Sequence, residues 1–232
     1  MKFNFIIIFI FLFSSAYSQI GFHFSPNFSW LSSSDPQITK NGSVFGWRFG
    51  VLSDQQIGKH HSFFSYGINY SYNSGGILLN ELSGKYWENS NLVIPTDTFP
   101  RNANQKFNLN YIEIPLGLKL YPVDAVYIEP YFNTMFRVRA KGSIVGTDKF
   151  DQEQISIIRE IKLMNFAFGI GAGINLDEQI DGIILGISYE RGFTDITNNF
   201  GSYQYSPSRG KVLDNSKTQT NNFTIRLSYL IK

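Results

Sequence analysis

The chain contains no cysteine. That excludes disulfides, thiolate metal sites, thiol nucleophiles and a lipid-modified N-terminal cysteine. Charge is also scarce: only 16% of residues are charged, and a formal net charge of +2 offers no basic face for nucleic acid. Beyond the first eighteen positions no apolar run reaches the ~20 residues that a helix needs to cross a bilayer. Any membrane insertion must therefore use strands, in which apolar residues alternate with others.

The N-terminus reads as an export signal. Met1-Lys2 supplies a positive start, residues 5–13 are uncharged and mostly apolar, and Ala16 and Ser18 stand at the −3 and −1 positions of a small-residue cleavage site. Cleavage after Ser18 divides the chain into a leader, 1–18, and one mature domain, 19–232. Without disulfides, an exported chain must be held by its core or by closure of its sheet.

In Ile112-Glu113-Ile114-Pro115-Leu116-Gly117-Leu118-Lys119-Leu120 an aliphatic residue falls at every second position. This period of two belongs to a strand, because successive side chains point to opposite faces. Eight segments alternate in this way: residues 20–31, 44–53, 62–72, 107–121, 126–141, 158–176, 182–194 and 222–231. One parity is aromatic and aliphatic, as in Phe22, Phe24 and Phe28 or Ile183, Leu185 and Ile187. The other parity carries Gly, Asn, Ser and most of the charge.

The connections sort by length. The first, third, fifth and seventh are long (32–43, 73–106, 142–157 and 195–221), and the others are short (54–61, 122–125 and 177–181). An up-and-down membrane barrel has this pattern, with short periplasmic turns at one rim and long loops at the other. The fold expected is all-β: a closed antiparallel transmembrane β-barrel, with outer-membrane lipid around it. Eight strands are expected. Ten would follow if Ile77-Leu78-Leu79 and Leu92-Val93-Ile94, which also suit a small hairpin above the membrane, entered the wall.

An eight-stranded barrel has an interior just wide enough for side chains to fill. The polar parity therefore predicts a lumenal charge network of Arg48, Glu113, Lys119, Glu129, Arg137, Arg139, Glu190 and Arg226. A turn centred near residues 123–124 sets Lys119 opposite Glu129 and Glu113 diagonal to Arg137, both expected as ion pairs. Pro115 and Pro130 are expected to mark bulges. Alternation fails around 151–162, where residues 152–160 suit a short helix or a loop over the outer rim.

Tests for chemistry are negative. Gly169-Ile170-Gly171-Ala172-Gly173 lacks the third glycine of a dinucleotide loop, since position 174 is Ile174, and alternating glycines on a lumen face explain it better. His60-His61 has no third metal ligand placed beside it. His23 with Ser25 or Ser29 is a thin candidate for a wall-mounted catalytic set. The expectation is a non-enzymatic protein without metal or cofactor.

Asn110-Tyr111-Ile112-Glu113-Ile114-Pro115-Leu116, with Lys119 following and then Tyr127-Ile128-Glu129-Pro130-Tyr131, is similar to the signature of the PorT-like outer-membrane β-barrel domain. The resemblance covers nearly the whole mature chain and is specific in this central hairpin. It implies an outer-membrane barrel of about eight strands in a Gram-negative envelope. The namesake of that family belongs to the type IX secretion machinery, so envelope or secretion proteins become expected partners, reached through loops 73–106 and 195–221. Two other readings stand beside it: a secreted, lipocalin-like barrel binding a small ligand, with its aliphatics inside, since alternation alone does not say which face is apolar, and a narrow channel preferring anions, from the excess of Arg and Lys among the lumenal charges.

Overall fold

The structure, a computed structural model, describes residues 18–57, 62–85, 87, 101–123, 125–145, 152–176, 182–204 and 212–231. Residues 1–17, and so nearly all of the expected leader, lie outside them, as do His60-His61 and Leu92-Val93-Ile94. In chain order the strands are β1 (Ser18–Ser33), β2 (Ile38–Gly42), β3 (Val44–Gln56), β4 (Ser62–Tyr72), β5 (Gly76–Asn80), β6 (Ser83–Lys85) and β7 (Ala103–Val123). They continue as β8 (Val126–Val145), β9 (Gln152–Ser156), β10 (Met164–Asn175), β11 (Gly182–Gly192), β12 (Ser202–Gln204), β13 (Val212–Leu213) and β14 (Thr218–Ile231).

Eight of these close a ring. Antiparallel pairing runs from β1 through β3, β4, β7, β8, β10, β11 and β14, and β14 pairs back with β1. The closed sheet leaves no edge within the ring, which is what a strand-built wall in lipid requires. Both ends of the described chain lie at the short-turn rim, where Ile20 faces Ile231 and Ile57 donates its N–H to the Ser62 carbonyl.

The apolar parity faces outward. Ile112, Ile114, Leu116, Leu118 and Leu120 are between 37% and 45% exposed, whereas Glu113 and Lys119 on the opposite face are at most 2% exposed. A soluble lipocalin-like binder would reverse this, so that reading is overturned. Stacked and edge-to-face aromatic pairs such as Phe24–Trp47, Phe45–Trp47 and Trp30–Tyr189 line the outer surface, as amphipathic rings do at headgroup level.

A transmembrane strand needs roughly 9–11 residues. β4, β10 and β11 are 11, 12 and 11 residues long, but β7 and β8 have 21 and 20. The surplus projects above the long-loop rim as an extension of the wall. There β5 continues the line of β4 along β7, β2 pairs outside β5, and β9 pairs with β8. Ile77-Leu78-Leu79 is thus part of β5 and adds no strand to the ring.

The alternation of β7 inverts at this level. Ala103, Phe107, Leu109 and Tyr111 are buried inside, while Asn104, Lys106 and Asn108 face out. Around them Leu31, Leu78, Trp87, Met135, Ile144, Ile157, Ile161 and Ile196 form an apolar core that fills the outer mouth. β6, β12 and β13 form a second, three-stranded sheet that joins the two longest loops.

Three local expectations are corrected. Residues 152–156 form strand β9 rather than a helix or irregular loop, and the predicted strand 158–176 begins only at Met164. Pro115 and Pro130 pair with Asn133 and Ile170 in unbroken register. The register shifts lie instead at Asn110/Tyr111 and at Leu120/Val123. A proline withholds one N–H from one neighbour, and a strand with two neighbours keeps its alignment from the remaining rungs.

Candidate functional site in the barrel lumen

The lumen is layered. Below the apolar core of the outer mouth lies a band of charge, and below that Tyr121, Tyr127, Ile184 and Leu230 pack together near the short-turn rim. The charged side chains enter this band because their strand neighbours of opposite parity are held in the lipid-facing wall.

Arg48 is the centre of the band. Its Nε lies 2.8 Å from Glu113 Oε2, and its Nη2 donates to Glu113 Oε1 at 3.1 Å and to Glu190 Oε1 at 3.2 Å. Asn133 Nδ2 donates to both carboxylates, at 3.2 Å to Glu113 and 2.7 Å to Glu190, and Asn222 Nδ2 donates to Glu190 at 2.9 Å. All three charged groups are at most 4% exposed. A two-toothed guanidinium contact and amide donors on both acids are the arrangement that lets charges persist out of water.

Nearer the short turns, Arg226 Nη1 contacts Glu129 Oε2 at 2.6 Å, and Lys119 pairs with Asp54. The Lys119 ammonium also lies 5.2 Å from the centroid of the Tyr127 ring. Tyr127 and Tyr131 on β8 lie over the alternating glycines of the adjacent β10, where they pair with Gly173 and Gly169. A Cβ built on Gly173 would lie 2.5 Å from a Tyr127 ring carbon, and one on Gly169 would lie 2.3 Å from Tyr131 Cζ. The glycine stripe is therefore a cradle for two rings.

Of the side chains predicted for the network, Arg48, Glu113, Lys119, Glu129, Glu190 and Arg226 lie in this band. Arg137 and Arg139 do not. β8 carries an extra residue against β7, since Asn110 faces Arg139 while Tyr111 faces Arg137. This bulge at Val138 turns Arg139 to the exterior and leaves Arg137 at the rim, donating to the carbonyls of Ile158 and Ile161.

The predicted pairs need the same correction. The register does set Lys119 level with Glu129, because Gly117 faces Tyr131 and Leu120 faces Ile128. Yet the ion pairs of the band join β3 to β7, β3 to β11 and β8 to β14, none of which are neighbours in the ring. In so narrow a barrel, long side chains meet along chords of the lumen more readily than along its wall. Asp54, which the sequence reading assigned to a periplasmic turn, is the acid that was missed; β3 runs on to Gln56 and carries it inside. The band thus holds Arg48, Lys119 and Arg226 against Asp54, Glu113, Glu129 and Glu190. The excess of basic groups that suggested an anion path is absent from it.

His23 is also inside, with Nε2 2.8 Å from Asn69 Oδ1 and Nδ1 3.1 Å from Ser25 Oγ. Since the amide oxygen can only accept, Nε2 carries the proton and the Ser25 hydroxyl donates to Nδ1. Ser25 is fully buried and His23 is 5% exposed, so a substrate has no approach to the hydroxyl. Among the described residues no cluster of His, Asp or Glu has the arrangement of a metal site.

The sequence matches the family model of the outer membrane protein beta-barrel domain over residues 13–198. No curated protein matches it. Among solved structures it is similar to Neisserial surface protein A, with 11% identity, 90% of this chain and 96% of that chain covered, and a TM-score of 0.41. It is also similar to Ail, the attachment invasion locus protein of Yersinia pestis, with 12% identity, coverage of 92% and 97%, and a TM-score of 0.39. The outer membrane protease OmpT from Escherichia coli aligns with 9% identity, coverage of 92% and 96%, and a TM-score of 0.34. At these scores the assignment of fold rests on the closed ring of strands itself. With the ring, the lipid-facing aliphatics and the family match over most of its length, the chain belongs to the outer membrane protein beta-barrel domain family and sits in the outer membrane.

Proposed function

We propose that this protein is a non-enzymatic outer-membrane barrel that acts through the built surface at its long-loop rim, as a docking member of an envelope or secretion assembly. On this reading the leader 1–18 exports it, the mature chain 19–232 forms the barrel, and the lumenal charges brace the wall. The observation that carries the proposal is the joining of the two longest loops. Ser202 and Tyr203 of β12 pair with Lys85 and Gly84 of β6, so residues from 73–106 and 195–221 form one platform over an apolar core. A passive pore would have little use for such a core in its mouth. Val212 and Leu213 at the edge of the platform are 44% and 73% exposed, an apolar edge suited to a protein partner. The PorT-like hairpin supports a place beside a type IX-like machine.

The test pairs two measurements on the full chain. Mild-detergent extraction should retain partner proteins that are lost when residues 202–213 are replaced by a short Gly/Ser linker, and planar-bilayer conductance should stay at the protein-free baseline. A barrel that is solitary with its loops intact, or one that conducts, would contradict the proposal.

A further inference from the structure

Immediately above the lipid-facing belt, the outer wall carries a groove formed where β7 and β8 extend beyond the membrane. Lys106, Arg139 and Lys141 line it, together with Tyr72, Asn108 and Gln154. The groove holds about 120 Å³ and contains no acidic side chain among the described residues.

The strand geometry fixes where these cations point. Phe107, Ala140 and Gly142 are buried inside, so Lys106, Arg139 and Lys141 face away from the barrel axis. Arg139 and Lys141 are two apart on one strand, and Lys106 is diagonal to Lys141 because it faces Ser143. Such spacings put the backbone anchors of the three cations roughly 7 Å from one to the next, close enough for one phosphate group to touch all three heads. The level is equally defined. Tyr72 and Ile112, which lie at and just below the groove, are 49% and 42% exposed on the lipid-facing side.

The neighbouring basic patch is different. Arg137 is engaged by the carbonyls of Ile158 and Ile161, and Lys162 pairs with Asp195 at 2.9 Å. Among the described residues, the Lys106 groove thus gathers three cations that face outward with no acidic side chain in its lining. Three like charges held together at the headgroup level call for an anion there.

We propose that Lys106, Arg139 and Lys141 bind the phosphorylated headgroup of an anionic lipid in the leaflet around the long-loop rim. The lipid phosphate anchors the wall extension at the membrane surface and fixes how far it stands above the bilayer. This goes beyond the docking role of the rim platform and stands independently of it.

The test uses the full chain folded in neutral maltoside micelles. Native mass spectrometry follows short-chain phosphatidic acid against phosphatidylcholine of the same chain length. A Lys106→Gln/Arg139→Gln/Lys141→Gln variant should bind phosphatidic acid roughly a hundredfold more weakly, taking each basic group near an anionic lipid surface at its ordinary contribution. An Arg101→Gln/Arg191→Gln/Lys217→Gln variant, which removes equal charge elsewhere on the exposed surface, should keep the affinity of the unaltered chain. Heat-dependent gel mobility checks folding. If the groove variant does not fold, Arg139→Gln alone, at an exposed position, should weaken binding about fivefold. Equal losses in both triple variants, no loss in the groove variant, or displacement of the lipid by inorganic phosphate at equal concentration would each overturn the proposal.

Discussion

Arg48 stands between Glu113 and Glu190, with Asn133 bridging the two acids. Removing it leaves two buried carboxylates facing each other without a cation. Breaking a buried pair from one side typically costs about 3–5 kcal/mol, more than the pair contributes when compared with an apolar replacement. Arg48→Met should therefore destabilise the barrel by about that amount in urea unfolding from lipid vesicles, and adding Glu113→Leu and Glu190→Leu should restore much of the loss. If the single variant were as stable as the original, the bracing role of this triad would be wrong. The sequence made the lumenal position of these residues legible, because a charge opposite a lipid-facing aliphatic has nowhere else to go. Their partners were not legible. Pairing by adjacent strands favoured Glu129 for Lys119, whereas the closed ring brings Asp54 to Lys119 and Arg226 to Glu129 across the lumen.

At the scale of the element, β7 is two strands in one. From Ile112 to Leu120 its aliphatics face lipid, and from Ala103 to Tyr111 its apolar side chains face inward. The change marks the level at which the wall leaves the membrane. Leu116→Arg, near the middle of the lipid-facing run, should cost about 2–4 kcal/mol of folding free energy. Val145→Arg, opposite Asn104 on the outer face of the extension and outside the basic groove, should stay within about 0.5 kcal/mol. Comparable costs at both positions in vesicle unfolding would place the membrane boundary elsewhere. Strand identity and the short turns were readable from alternation and loop length. The inversion was also present in the sequence, where Phe107, Leu109 and Tyr111 take the opposite parity from Ile112 and Ile114. It was missed because a run of mixed parity reads as one strand when only its period is followed. The bulge at Val138 left no comparable signal. It is set by how β7 and β8 align in space, which is why alternation alone places Arg137 and Arg139 in the lumen.

At the scale of the whole molecule, the ring of eight strands makes one solid object from lipid-facing wall to filled interior. Apolar packing closes the outer mouth, ion pairs fill the middle, and tyrosines lie near the short turns. The absence of native cysteine permits the most direct test of this architecture, because single cysteines can be introduced without background. Each residue from 103 to 120 would be replaced in turn by cysteine in the full chain, spin-labelled, and measured in vesicles against membrane-dissolved oxygen and a water-soluble nickel chelate. Positions 112, 114, 116, 118 and 120 should be relaxed by oxygen and shielded from the chelate, with 113, 117 and 119 shielded from both. At 104, 106 and 108 the chelate should dominate. Oxygen access at 113, 117 and 119, or chelate access along 112–120, would contradict a sealed barrel with its aliphatics in the lipid.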